Sequence, residues 1–205
     1  MAPALVPIVE GHGDVQAVPL LLRRLLEQAQ VSQIQVARPI RIPKTKLLKK
    51  GELERAVGLA KTINPNCAGI LVILDADDDR DCPKHLAPRL LKWAQRAAAG
   101  TPASVVLAKR EFEAWFLGSM ESLRGERGIS KDASPPPAPE EIRDAKGWLS
   151  KHMPAGTIYK ETVDQAALAS LMDLEQARKS CPSFDKLCRE ITSLVSQISP
   201  SLFER

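Results

Sequence analysis

Three groups of acids stand where apolar runs of the chain break off, and their spacing sets the chemistry open to them. Glu10 closes the run Leu5–Val9 and is followed by Gly11-His12-Gly13. The run Gly69–Leu74 closes in Asp75-Ala76-Asp77-Asp78-Asp79-Arg80-Asp81, five acids in seven residues with one base. Ser104–Ala108 is followed by Lys109-Arg110-Glu111-Phe112-Glu113. Like charges held close repel, so such groups either keep protons or gather a cation. A hard divalent ion, Mg²⁺ or Mn²⁺, held by one or two carboxylates with water and a phosphate, meets that need directly. Helix capping accounts for part of the middle group, since an acid at a helix N-terminus gains about 0.3–1 kcal/mol. It does not account for an acid at the strand end together with Glu10. A calcium loop is excluded, because Arg80 stands where an EF-hand needs Gly and Leu86 where it needs Glu.

The glycines around His12 match neither GxGxxG nor GxxxxGK[ST]. Their use is to turn the backbone sharply and bring Glu10 near a ligand. His12 is either a metal or phosphate contact or a plain exposed loop residue. A basic stretch follows: Arg38, Arg41, Lys44, Lys46, Lys49 and Lys50 fall within 13 residues with no acid among them. Such a stretch either tracks a nucleic-acid backbone, sequence-blind and salt-sensitive, or is a solvated edge whose lysines block strand pairing.

The elements that must position these residues alternate. Leu5–Val9 reads as a buried strand. A helix capped by Asp14 runs to about Gln30, and Pro19 moves its regular start toward Val18. Ile34–Ile42 reads as a strand interrupted at Pro39, and Gly51–Ile63 as a helix. Gly69–Leu74 is a continuously apolar strand ending at Asp75, as in a parallel sheet covered on both faces. A helix follows from Pro83 to about Ala98, then a strand at Ser104–Ala108 and a helix at Glu111–Leu123. The β-α order predicts an α/β fold, a mostly parallel sheet of four strands or slightly more with helices on both faces. In such a sheet ligands sit beyond the carboxyl ends of the strands, where all three acid groups lie. The expected division is an α/β domain over 1–130, a proline-rich connector over 131–139, and a helical extension over 140–205 that packs on the core. The extension's helices are read at Glu140–Lys151, Val163–Lys179 and Pro182–Ile198.

Composition narrows the field. The chain has 205 residues, 44% of them hydrophobic, enough for a real core. No apolar run reaches membrane-spanning length, and the N-terminus lacks the basic start of a signal peptide. Four cysteines without CxxC or zinc-finger spacing read as reduced thiols, so a cytoplasmic protein without membrane partners is expected. A net charge of +4 is too small for a polycation, so nucleic-acid binding must come from a local patch. Aromatics at 4% are too few for a base-stacking platform.

The order Val9-Glu10-Gly11, then Leu74-Asp75-Ala76-Asp77, on alternating strands and helices resembles the Toprim superfamily of topoisomerases, primases, OLD-type nucleases and relatives. Lys109-Arg110-Glu111-Phe112-Glu113-Ala114-Trp115-Phe116-Leu117, Tyr159-Lys160 and Cys181-Pro182-Ser183-Phe184 look like a narrower Toprim-like family of small bacterial proteins, often encoded beside an AAA-type ATPase. The resemblance spans nearly the whole chain and implies a Toprim-like fold. It implies Glu10 as general base or metal ligand near the reacting phosphate, and Asp75 and Asp77 as Mg²⁺ ligands. It implies Glu113, with Glu111, at a second metal site, and Lys109 stabilising charge on the phosphoryl group. Tyr159 is the only tyrosine and lies outside the core, so no topoisomerase nucleophile is identified, and a primase needs further domains. What remains is Mg²⁺-dependent phosphodiester hydrolysis of DNA or RNA, DNA foremost, in phage defence with an ATPase partner. The alternative from another class is a non-catalytic metal-binding regulatory subunit of an ATPase complex. A third is a phosphate-handling enzyme acting on small nucleotides. A homodimer is left open.

Overall fold

The computed structural model describes residues 2–77 and 82–200. Asp78, Asp79, Arg80 and Asp81 of the acidic run lie outside them. The elements run β1 (Ala4–Val9), α1 (Asp14–Gln28), β2 (Gln35–Val36), β3 (Ile40–Arg41), α2 (Lys44–Leu47), α3 (Glu52–Ile63), β4 (Cys67–Ala76), α4 (Pro83–Ala98) and β5 (Ala103–Lys109). Then come α5 (Ala114–Gly118), α6 (Met120–Leu123), α7 (Ala145–Lys151), α8 (Glu161–Leu171), α9 (Leu174–Ser180) and α10 (Pro182–Ile198).

The strands form one parallel sheet in the order β2-β1-β4-β5, with β3 also paired to β1 beyond β2. The interruption at Pro39 is the break between β2 and β3. Side chains alternate across the sheet, as the two-residue period requires. Leu5, Val9, Leu71, Ile73, Val106 and Ala108 face a core shared with α1 and the helices after the connector. Val6, Ile8, Ile70, Val72, Leu74, Val105 and Leu107 face a second core with α3 and α4. Helices therefore cover both faces, the α/β architecture expected. Asp75 continues the row of Leu71 and Ile73, so its carboxylate belongs to the α1 side.

Several boundaries differ from the sequence reading, each for a local reason. Strand β4 runs on through Ala76, because its ladder with β5 continues to Ala76↔Lys109, so Asp75 lies inside the strand. Helix α1 starts at Asp14 and carries Pro19 inside it. Its start is fixed upstream, where the Gly13 carbonyl accepts from the Gln16 and Ala17 N–H groups. The basic stretch contains the short helix α2. The helix expected over Glu111–Leu123 is two pieces, α5 and α6, broken at Ser119, whose hydroxyl bonds back to the Trp115 and Phe116 carbonyls. Two longer helices are also cut by aspartates that start new ones. Asp144 accepts from the Gly147 N–H at 2.8 Å, so α7 begins at Ala145. Asp173 accepts from the Glu175 and Gln176 N–H groups and divides α8 from α9. Among the described residues, no helix is long and apolar enough to cross a membrane.

Candidate active site

A cavity of about 430 Å³ opens at the carboxyl ends of β1 and β4. Glu10, Asp14, Asp75, Asp77, Glu113 and Glu161 line it, with Lys44, Lys146 and Gln165 among the other lining residues. Six carboxylates face two ammonium groups, an excess of negative charge that the lysines alone do not cancel.

The strand ends hold their acids with backbone donors. The Asp75 N–H donates to Glu10 Oε1 at 2.5 Å. The Phe112 N–H donates to Asp75 Oδ1 at 2.8 Å. That second bond depends on the turn after β5, where Arg110 takes a left-handed conformation (φ 67°) and swings Phe112 and Glu113 back over the sheet end. Burial pushes the Glu10 carboxyl up to about 7, against the Asp75 N–H and Lys44, which pull it down. Asp75 is raised well above the usual carboxylate range, first by burial, then by Glu113, Glu10 and Asp14 around it. Asp77 is exposed and pairs with Lys44 at the cavity mouth.

The opposite wall comes from residues far along the chain. Glu113 is 1% exposed. Tyr159 Oη donates to its Oε1 at 3.0 Å, and Lys146 Nζ stands 3.9 Å from the same oxygen. Its other oxygen, Oε2, is buried without a hydrogen-bond partner. Burial raises the Glu113 carboxyl, opposed by Lys146 and the tyrosine hydroxyl. Lys146 donates to Glu161 Oε2 at 3.1 Å, and the Gly13 N–H donates to Glu161 Oε1 at 3.0 Å. Burial works against the Lys146 charge, but Glu113, Glu161 and Asp75 outweigh it and hold the ammonium form. Asp14 accepts from the Gly11 N–H and from Gln165 Nε2, both at 2.8 Å, and burial raises it. Gly13 is required here: a Cβ would lie 1.8 Å from Gln165 Oε1 and 2.8 Å from the Glu161 carbonyl oxygen.

The family described as Domain of unknown function (DUF4276) matches residues 9–192. The chain belongs to this family. No curated protein matches it. Among solved structures, the C-terminal region of the OLD protein of Xanthomonas campestris pv. campestris is similar over 96% of this chain and 94% of that chain, at 15% identity and a TM-score of 0.37. The DUF4276 match contains every residue lining the cavity, from Glu10 to Gln165.

Of the residues singled out in the sequence, Glu10, Asp75, Asp77, Glu113 and Lys44 line this cavity, and Arg41 donates to the Glu10 carbonyl at 3.4 Å. Others lie elsewhere. Lys109 pairs with Glu141 at the surface. Glu111 is half-buried and raised by burial, and it accepts from the Lys146 and Ala145 N–H groups at the start of α7. Arg38, Lys46, Lys49 and Lys50 are exposed outside the cavity, and so is His12. Asp14, Lys146, Glu161 and Gln165 are the charged and amide residues of the cavity that the sequence reading did not assign to the site, and Pro43 and Thr45 line it as well. Only Asp14, four residues after Glu10 at the start of α1, carried a local signal.

The donor set suits a hard divalent cation: every acid offers oxygen, and Glu113 Oε2 is a buried acceptor without a donor. Among the described residues, no three acid, histidine or cysteine side chains stand close enough around one point to coordinate an ion as placed. Lys44 and Lys146 supply part of the compensation instead.

Proposed function

We propose that this chain is a divalent-cation-dependent phosphodiesterase of the cytoplasm that hydrolyses nucleic acid, DNA before RNA. The observation that carries the reading is the convergence of Glu10, Asp75, Asp77 and Glu113 on one open cavity at the carboxyl edge of a parallel sheet. Glu10, Asp75, Asp77 and Glu113 are the residues that would hold Mg²⁺ or Mn²⁺. When bound, the cation supplies neutralisation of phosphate charge and an acidified water. Glu10 would be either one of these ligands or the group that takes a proton, since burial pushes its carboxyl up to about 7 where no cation is bound. Lys146, kept charged by three carboxylates, is the cationic group inside the cavity that a phosphate oxygen meets. Arg41 and Lys44 place positive charge at the rim. An AAA-type ATPase partner and a role in defence against mobile DNA follow from the Toprim-like resemblance alone.

The test is cleavage of supercoiled, linear and single-stranded DNA and of RNA, with Mg²⁺, Mn²⁺ or EDTA. Metal-dependent cutting that falls by about 10²-fold or more in Asp75→Ala supports the reading. Cutting that survives in EDTA or in Asp75→Ala overturns it. A second reading, a metal-binding regulatory subunit without turnover, is favoured by the two lysines already seated among the acids. A folded chain that binds Mn²⁺ yet cuts none of these substrates, alone or with an ATPase, selects it.

A further inference from the structure

We propose that α4 is a phosphate-tracking rail for duplex DNA, separate from the Arg38–Lys50 stretch. Pro83–Ala98 contains Lys84, Arg89, Lys92 and Arg96 and no acid. These four charges equal the formal +4 of the whole chain, so the rest of the chain sums to zero. His85, Arg89, Lys92 and Arg96 recur at i, i+4, i+7 and i+11, which places them within about 60° of the helix circumference. All four are exposed. The opposite side of α4, Leu86, Leu90, Ala94 and Ala98, is locked into the core. The helix therefore cannot turn to use this stripe for internal packing. Among the described residues, Lys84, Arg89, Lys92 and Arg96 form no ion pair. The Arg89 guanidinium lies over the Trp93 ring, 5.6 Å from its centroid, which limits its freedom.

The chemistry of the stripe selects its partner. Protein interfaces centre on apolar or aromatic anchors, and surface-seeking amphipathic helices need an apolar wedge. Among the described residues, the exposed large hydrophobic ones are Leu59, Ile63, Ile158, Val163 and Leu171, none of them on α4. A sugar-phosphate backbone needs charge alone. The stripe is about 16 Å long, or roughly five base-pair steps. Its one exposed ring is His85, and the half-buried Trp93 ring is taken up by Arg89, so no series of rings is offered for stacking, which favours a duplex over a single strand. In a parallel sheet, the helix after β4 starts at the carboxyl edge, the edge that carries Asp75 and Asp77. The rail thus begins near the cavity and leads away from it. It rests on the nuclease reading for its purpose, but not for its test.

The experiment is duplex binding by fluorescence anisotropy in EDTA across a salt series, where cleavage plays no part. The chain with Arg89→Gln, Lys92→Gln and Arg96→Gln is compared with wild type. A control carries Arg23→Gln, Lys151→Gln and Lys179→Gln, an equal charge loss at exposed positions on other helices. The α4 variant is expected to bind more weakly, with a log K against log salt slope shallower by about 2 to 3. The control keeps the wild-type slope. An unchanged slope in the α4 variant, equal flattening in the control, or no duplex binding by wild type overturns the rail. Flattening seen with poly-glutamate but not with DNA assigns the stripe to an acidic protein, which also overturns it. The nuclease reading stands or falls on cutting, so the two failures are told apart.

Discussion

The strand-end wall of the cavity and the helical wall facing it carry the same kinds of charge, held by different bonds. Glu10 and Asp75 take their hydrogen bonds from backbone N–H groups next to the β1–β4 and β4–β5 ladders. The Asp75 N–H cannot leave without unpairing the sheet, and the Phe112 N–H is held against the sheet end by the left-handed turn at Arg110. Glu113 takes its hydrogen bond from the Tyr159 side chain, and Glu161 and Asp14 each divide theirs between a loop N–H, of Gly13 or Gly11, and a side chain, Lys146 or Gln165. Such partners shift with protonation and with the docking of α7 and α8. The sheet fixes where the acids are; the helices decide their charge and close the site. Variation should therefore act more strongly through the helical wall.

Gly13→Ala tests that most severely, because the added methyl group meets α8 itself. A contact of 2.8 Å to the Glu161 carbonyl oxygen requires backbone movement. A loss of about 3 kcal/mol is expected in urea unfolding, at or above the top of the usual overpacking range. Gly11→Ala meets only side-chain atoms, at 2.9 Å, and should cost less. Equal costs would mean that α8 is no firmer a wall than a rotatable side chain.

Proton linkage acts on both walls together. Burial raises Glu10 to about 7, and Asp75, Asp14 and Glu113 are raised as well. An acid whose folded value lies above its unfolded value favours folding while protonated. That contribution is complete below the unfolded value near 4.5 and is lost as pH rises through about 7. Glu10 alone accounts for about 3 kcal/mol as an upper figure. In EDTA, the melting temperature should fall between about pH 5.5 and pH 8, and Mg²⁺ or Mn²⁺ should restore more of it at the higher pH. A flat profile in EDTA would show that the lysines already compensate the cluster.

Tyr159→Phe acts on the helical wall alone. It removes the donor on Glu113 Oε1 and leaves Oε2 as bare as before. A loss of about 1–2 kcal/mol is expected. Without the donor, the Glu113 carboxyl rises further, so the pH dependence of melting moves upward. Loss of stability without that displacement would make Tyr159 a packing residue only.

The strand-end acids were legible in the sequence because apolar runs mark strands, and parallel strands present their carboxyl ends to ligands. The face of Asp75 was not, because a continuously apolar run gives no side; only the packing puts Leu71 and Ile73, and with them Asp75, toward α1. Lys146, Glu161 and Gln165 were not, because no local spacing encodes the docking of α7 and α8 against a loop more than 130 residues earlier. Adjacency was a poor guide after β5. Lys109, Glu111 and Glu113 lie within five residues, yet the left-handed turn at Arg110 separates their directions.

That separation gives the smallest predicted effect. Lys109 belongs to neither wall, and its ammonium pairs with Glu141, itself 57% exposed. Exposed pairs of this kind contribute about 0–1 kcal/mol. Its backbone N–H reaches Ser183 Oγ at 3.2 Å, a contact any residue with an N–H supplies. Lys109→Ala should therefore keep its stability within about 1 kcal/mol and its metal-dependent cutting within about twofold, whereas Lys146→Ala should lose most of it. A Lys109 variant as damaged as the Lys146 one would require Lys109 to leave Glu141 and enter the cavity when substrate binds. The helical wall would then be one state of the site among two.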